Sequence, residues 1–253
     1  MLRKAEAFRK YTLGAVDGEI GKVKDFYFDD QHWTVRYLVA DTGDWLEERL
    51  VLISPYALVS VDEEREIIAT NLTKKQIENS PPADSDMPVS RQFEVLYHDY
   101  YQWPAYWRGS HAWGAYPYPA PVRERIREEA QASWDSHLRT IREIDGYGVG
   151  TLDGDIGHIA EFVIDDKDWA IRYLVVDTRN WWPGKHVLIS PQWIARVSWD
   201  EHKVYADLSH DTIRDAPEYT HDSVISREYE IELCRHYSRE GYWTKGDCAS
   251  DTT

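Results

Sequence analysis

Carboxylates gathered at turns are the first residues here whose type and spacing suggest chemistry. Asp17-Gly18-Glu19, Asp29-Asp30, Asp153-Gly154-Asp155 and Asp165-Asp166 place acidic side chains at strand ends, where oxygen ligands could collect a hard cation. Turn chemistry accounts for them more simply, because Asp and Gly favour tight turns for backbone reasons and no EF-hand spacing is present. Neighbouring carboxylates on one turn also do not flank a substrate as a glycosidase pair must. No metal site is expected.

Arg36 and Arg172 each precede a Tyr within an apolar run, with Asp41, Asp177 or an acidic turn as partners for a structural ion pair. The alternative is a contact surface, since Arg36 exposed beside Trp33 and Trp45 would resemble an interface hot spot. The densest aromatic cluster is Trp181-Trp182-Pro183-Gly184-Lys185 with Pro191-Gln192-Trp193, against only Trp45 and Tyr56 at the matching earlier places. It either fills a junction between domains or forms a partner groove. The candidate partner-binding residues are therefore Trp45, Trp181, Trp182, Trp193, Arg36 and Arg172.

Catalytic sets are missing from the pattern. Ser54 and Ser190 lie in Ile-Ser-Pro, not in the Gly-x-Ser-x-Gly of a nucleophile elbow. His32, His98-Asp99 and His210-Asp211 have no triad partner or metal spacing that the sequence establishes. Glycines occur singly, so phosphate-cradling loops are absent. Cys234 and Cys248 are the only cysteines and form no CxxC, which leaves a disulfide framework or zinc site without support. No catalytic residue and no cofactor are expected, and a reducing cytoplasm is the default compartment.

The formal charge of −16 argues against a nucleic-acid binder, which needs clustered Lys and Arg. It argues equally against adsorption to an anionic membrane. No stretch approaches the ~20 apolar residues that span a bilayer, and the opening MLRKAEAFRKYTLG lacks the apolar core of a signal peptide. Twelve Trp and 17 Tyr supply large rigid surfaces suited to cores and contact faces.

An internal repeat must position all of these groups. Gly14 aligns with Gly150, Trp33 with Trp169 and Pro55 with Pro191, each at an offset of 136 residues (150 − 14), and no gap is needed. About half of the positions from Gly14 to Pro55 are identical to their partners, including Arg36-Tyr37-Leu38-Val39 and Val51-Leu52-Ile53-Ser54-Pro55. The offset persists where Arg91, Glu94, Tyr101, Tyr106 and Trp107 match Arg227, Glu230, Tyr237, Tyr242 and Trp243.

Within each copy, turn residues bracket short alternating runs. Ile20–Phe28 and Trp33–Asp41 predict a hairpin, Arg49–Ile53 a third strand, and Val59, Val61, Ile67 and Ala69 a fourth and fifth around Asp62–Arg65. Ser54-Pro55 suits a capped helical turn, and Thr73–Gln76 has the form of a capping box before Ile77. Copy two repeats the plan over Ile156–Ile164, Trp169–Asp177 and Lys185–Ile189. Open edges that need protection point to a small closed or nearly closed barrel. Between the copies, 100–119 is rich in Tyr, Trp, Pro and Gly. Val122, Ile126, Ala130, Trp134, Leu138 and Ile141 fit one face of a helix across 121–144.

The strings DGEIGKVKDFYFDD, WTVRYLVADTGDWL and RLVLISP, with DGDIGHIAEFVIDD, WAIRYLVVDTRNWWPGK and HVLISPQWI, resemble the PRC-barrel family, over roughly Tyr11–Leu72 and Tyr147–Leu208. The resemblance implies a small β-barrel used as a docking module, with no catalytic set common to the family. The expected fold is mainly β with some α: two tandem PRC-type barrels, residues 1–80 and 146–217, an aromatic-rich and helical linker 81–145, and an extension 218–253. The expected function is a non-catalytic cytoplasmic scaffold that binds a protein partner, with a homodimer also compatible. The alternatives are a cation- or small-ligand-binding stress protein and an enzyme with a composite site between the barrels.

Overall fold

A computed structural model describes residues 1–46, 50–83, 89–120, 137–178, 185–220 and 224–245. In the first copy β1 (Leu2–Lys4), the one-turn helix α1 (Ala5–Phe8) and β2 (Thr12–Ala15) lead into the long hairpin of β3 (Gly18–Asp29) and β4 (Thr34–Asp41). Then follow β5 (Val51–Ile53), β6 (Leu58–Asp62), β7 (Ile67–Thr70) and helices α2 (Lys74–Glu78) and α3 (Arg91–Tyr101). The second copy opens with β8 (Leu138–Thr140), α4 (Ile141–Ile144), β9 (Gly148–Gly150), β10 (Asp155–Asp165) and β11 (Ile171–Asp177). It continues through β12 (His186–Ile189), β13 (Ile194–Ser198), β14 (Lys203–Ala206), α5 (His210–Arg214) and α6 (Arg227–His236).

The two sheets have one topology, β5-β4-β3-β2-β7-β6 and β12-β11-β10-β9-β14-β13. Alternation explains the central hairpins. Ile20, Val23, Phe26 and Phe28 are buried along β3, as are Ile156, Ile159 and Phe162 along β10. Gly21 is required where β3 bends, because a Cβ there would lie 1.9 Å from Asp41 O, and Gly157 meets Asp177 O at 2.0 Å. The expected punctuation is present: Ser54 and Ser190 cap 3₁₀ turns that begin with Pro55 and Pro191, and Thr73 with Gln76 forms a capping box.

Two expectations need correction. The sheets are open rather than closed barrels, since among the described pairings β5 does not bond to β6, nor β12 to β13. One edge of each sheet is met from outside instead, by a Leu50–Ala83 bridge beside β5 and the equivalent His186–Tyr219 bridge on β12. The helix expected across 121–144 is also revised. Residues 121–136 lie outside the described residues, while Leu138–Thr140 is a strand paired to Tyr27–Asp29 of β3, so ladder bonds override its helical spacing.

The described chain divides into two compact units, Met1–Glu143 with Phe162–Arg172, and Ile144–Glu161 with Tyr173–Thr253. The first unit contains a reciprocal strand exchange. Leu2, Arg3 and Lys4 pair with Asp165, Ile164 and Val163 of β10, while Leu138, Arg139 and Thr140 pair with Asp29, Phe28 and Tyr27 of β3. Every residue in one ladder sits 136 positions from its counterpart in the other. Thr34 bridges Ala170 at the centre, where the offset is again 136.

Candidate functional site

Among the described residues, a concentration of buried ionisable groups lies in the first unit, where α3 packs on β4. Ser90 caps the helix by accepting from Phe93 N, and the i, i+3, i+6, i+7 spacing then turns Arg91, Glu94, Tyr97 and His98 to one buried face. Glu94 is fully buried and Tyr37 of β4 is too. Tyr37 Oη lies 3.0 Å from Glu94 Oε1 and 2.8 Å from His98 Nε2. Tyr106 Oη donates to Glu94 Oε1 at 2.6 Å, and Arg91 Nη1 lies 2.8 Å from Glu94 Oε2.

Aromatic rings close the cluster. Arg36 lies over Tyr106 at 3.9 Å and Trp113 at 4.7 Å, and Arg91 over Trp107 at 4.5 Å. Trp103 and Trp107 approach the His98 ring edge-on. Burial pushes the Glu94 carboxyl up to about 7, against the lowering pull of Arg91 and the two tyrosine hydroxyls. Burial likewise drives His98 down to about 3 and raises the Tyr37 and Tyr106 hydroxyls well above the usual range.

The second unit repeats the core of this arrangement. Tyr173 Oη donates to Glu230 Oε1 at 2.9 Å, Arg227 Nη1 lies 3.0 Å from Glu230 Oε2, and Arg227 lies over Trp243 at 4.1 Å. Among the differences, Cys234, buried, stands where the first copy has His98, Leu233 where it has Tyr97 and Arg239 where it has Trp103. An arrangement kept in both copies, tying helix to strand in each, is primarily a structural lock. Sequence reasoning had the recurrence of Arg91, Glu94, Tyr106 and Trp107 in hand but not their meeting with Tyr37.

The candidate partner-binding residues are placed as follows. Arg36 is buried at 1% exposure, with Nε 2.5 Å from Asp29 Oδ2. Burial raises the Asp29 carboxyl, yet Arg36 and the His32 hydrogen bonds together bring it below its ordinary value. Arg172 pairs with Asp168 and lies 3.6 Å from Asp165. Trp193 is buried against Tyr237, ring centroids 4.7 Å apart. Trp45 is half-buried, with Lys74 Nζ 4.2 Å above its ring. Trp181 and Trp182 lie outside the described residues.

The acidic turns are engaged by backbone. Asp17 Oδ1 accepts from Lys74 N at 2.8 Å, and the equivalent Asp153 Oδ1 accepts from His210 N at 2.7 Å. Asp29 Oδ1 accepts from His32 N at 2.6 Å, while Asp165 and Asp166 face the Met1 ammonium. No helix among the described residues is long and apolar enough to cross a membrane.

Comparison with known proteins agrees with the fold of the first copy. Residues 14–77 match the family model of the PRC-barrel domain. An uncharacterized protein of Deinococcus radiodurans is 37% identical over 84 residues, which is 32% of this chain. The match spans only 28% of the length of that relative.

Proposed function

We propose that the chain is a non-catalytic docking protein in which both copies are PRC-type modules, each offering a small apolar face to a protein partner. The single observation that carries this reading is an exposed apolar residue at the same turn in both copies: Val16 is 69% exposed and Leu152, its equivalent at offset 136, is 71% exposed. A turn has no backbone need for a branched apolar side chain facing water.

In the first copy this residue belongs to a wider face. Val16 adjoins Asp17, which caps α2 at Lys74, and Lys74 in turn lies over Trp45. Trp45 has Trp181 as its partner in the repeat. The preferred docking positions are therefore Val16 and Trp45, with Leu152 and Trp181 in the second copy. Arg36, Arg172 and Trp193 serve as internal supports. The buried ionisable groups support the same reading, because they lock helices to strands in both copies.

The test compares proteins captured from native lysate by the wild-type chain and by Val16→Asp with Leu152→Asp, in parallel with Trp45→Ala. The reading expects one partner to be lost from each variant while thermal melting stays within a few degrees of wild type. An unchanged set of captured proteins from well-folded variants sinks it.

A further inference from the structure

Hydrogen atoms in the Glu94 cluster can be counted from donor and acceptor identities alone. His98 Nδ1 lies 2.7 Å from Pro104 O, and a carbonyl cannot donate, so Nδ1 carries a hydrogen. In a neutral imidazole Nε2 is then a bare acceptor, and the group it faces at 2.8 Å is the Tyr37 hydroxyl. Tyr37 has a single hydrogen. If that hydrogen goes to His98, the 3.0 Å approach of Tyr37 Oη to Glu94 Oε1 needs a hydrogen on the carboxyl group. If it goes to Glu94 instead, the approach to His98 needs a hydrogen on Nε2. Tyr106 does not supply it, since its own hydroxyl hydrogen points at Glu94 Oε1. Both assignments contain one proton more than a carboxylate, a neutral imidazole and a phenol provide.

We propose that Glu94, Tyr37 and His98 hold one exchangeable proton among them, forming a pH-responsive latch that ties α3 to β4 in the first copy and has no counterpart in the second. In the second copy Cys234 removes the second acceptor, so Tyr173 needs only its own hydrogen to satisfy Glu230. The groups facing Glu94 are Arg91 from its own helix, Tyr37 and Arg36 from β4, and Tyr106 from the segment after α3, while His98 faces Tyr37. Asp29 stands behind Arg36 and forms an ion pair with it at 2.5 Å. The upward displacement of Glu94 to about 7 and the downward one of His98 to about 3 put the proton on Glu94 rather than on the imidazole. Loss of the proton leaves two acceptors facing one hydroxyl hydrogen in a buried site, which weakens the attachment of α3 and of the Trp103 and Trp107 rings packed on His98.

Infrared difference spectroscopy of the full chain between about pH 5 and about pH 9, with tryptophan fluorescence recorded alongside, tests the latch. A protonated-carboxyl band should disappear with a midpoint near about 7 together with a fluorescence change. Glu94→Gln should abolish both, and Glu230→Gln should keep both. His98→Cys, which installs the second copy's residue, frees the Tyr37 hydrogen for the carboxylate. The midpoint should then fall by at least about one pH unit, a tenfold loss of proton affinity. His98→Cys decides the matter if Glu94→Gln does not fold. A band that survives in Glu94→Gln, or a midpoint unmoved by His98→Cys, overturns the proposal.

Discussion

Trp33 and Trp169, equivalent residues of the two copies, bond reciprocally: each carbonyl accepts the backbone N–H two positions beyond the other. Trp33 O accepts from Ile171 N at 2.7 Å, and Trp169 O from Val35 N at 2.8 Å. Both tryptophans have left-handed φ, 52° and 60°, a conformation that costs bulky residues about 1–2 kcal/mol each and persists only when its surroundings fix it. The reciprocal bonds and the exchanged strands β1 and β8 supply that fixation. The self-matching contact lies wholly within the first unit.

Loss of the buried Trp169 ring should be costly even though its backbone bond to Val35 survives. Trp169 is 3% exposed and packs on Phe8 at 5.5 Å. Trp169→Ala is expected to cost about 3–5 kcal/mol, read from urea unfolding. A loss under about 1 kcal/mol would show that the Trp169 ring contributes little to the packing of the first unit.

The hairpin bend gives a sharper contrast. Gly21 and Gly43 both have positive φ, 151° and 56°, but only Gly21 has backbone in the space of a Cβ. Gly43→Ala is expected to cost about 1 kcal/mol, the conformational penalty alone. Gly21→Ala must also move β4 away from β3, so chemical denaturation should show a loss at least about twice as large. Equal losses at the two positions would mean that the close approach to Asp41 is easily relaxed.

Much of this architecture was legible in the sequence. Turn residues and period-two alternation located β3 to β7, and the constant offset carried the same elements into the second copy. What escaped had weak or mixed signals. β1 and β8 are three-residue strands whose periodicity is too short to register, and only the exchange itself gives them a partner. α3 was missed because its buried face is Arg91, Glu94, Tyr97 and His98, a polar and aromatic set that hydrophobic periodicity does not detect. Barrel closure was inferred from the need to protect edges, and the sheets stay open with one edge of each met by an isolated bridge, Leu50–Ala83 or His186–Tyr219. The candidate residues Arg36 and Trp193 were picked by type, and type does not distinguish a buried support from a contact surface.

Asp29 should govern part of the acid sensitivity. Its carboxyl titrates below its ordinary value of 3.8 in the folded chain, so the native state binds that proton less readily than the unfolded one. The contribution of the Asp29–Arg36 pair is thus present above the unfolded value and disappears as pH falls through the lower folded value. Asp29→Asn leaves the buried Arg36 cation without its counter-charge and is expected to cost about 3–5 kcal/mol at neutral pH. The gap between variant and wild type should narrow as urea titrations move below about pH 4. A gap that is independent of pH would assign the loss to packing rather than charge.

The acidic turns offer the last test, because it separates a capping role from a cation site. Asp17 Oδ1 and Asp153 Oδ1 already accept the first backbone N–H groups of α2 and α5, and an oxygen so engaged is a poorer ligand for a hard cation. Calcium or magnesium at millimolar excess should then leave the melting temperature of the wild-type chain unchanged, since a ligand that binds only the native state must raise it. Asp17→Ala should lower stability by about 0.5–1 kcal/mol whether or not the metal is added, as loss of a capping acceptor does. A metal-dependent rise in melting temperature that vanishes in Asp17→Ala with Asp153→Ala would reverse the assignment and make these turns a divalent-cation site.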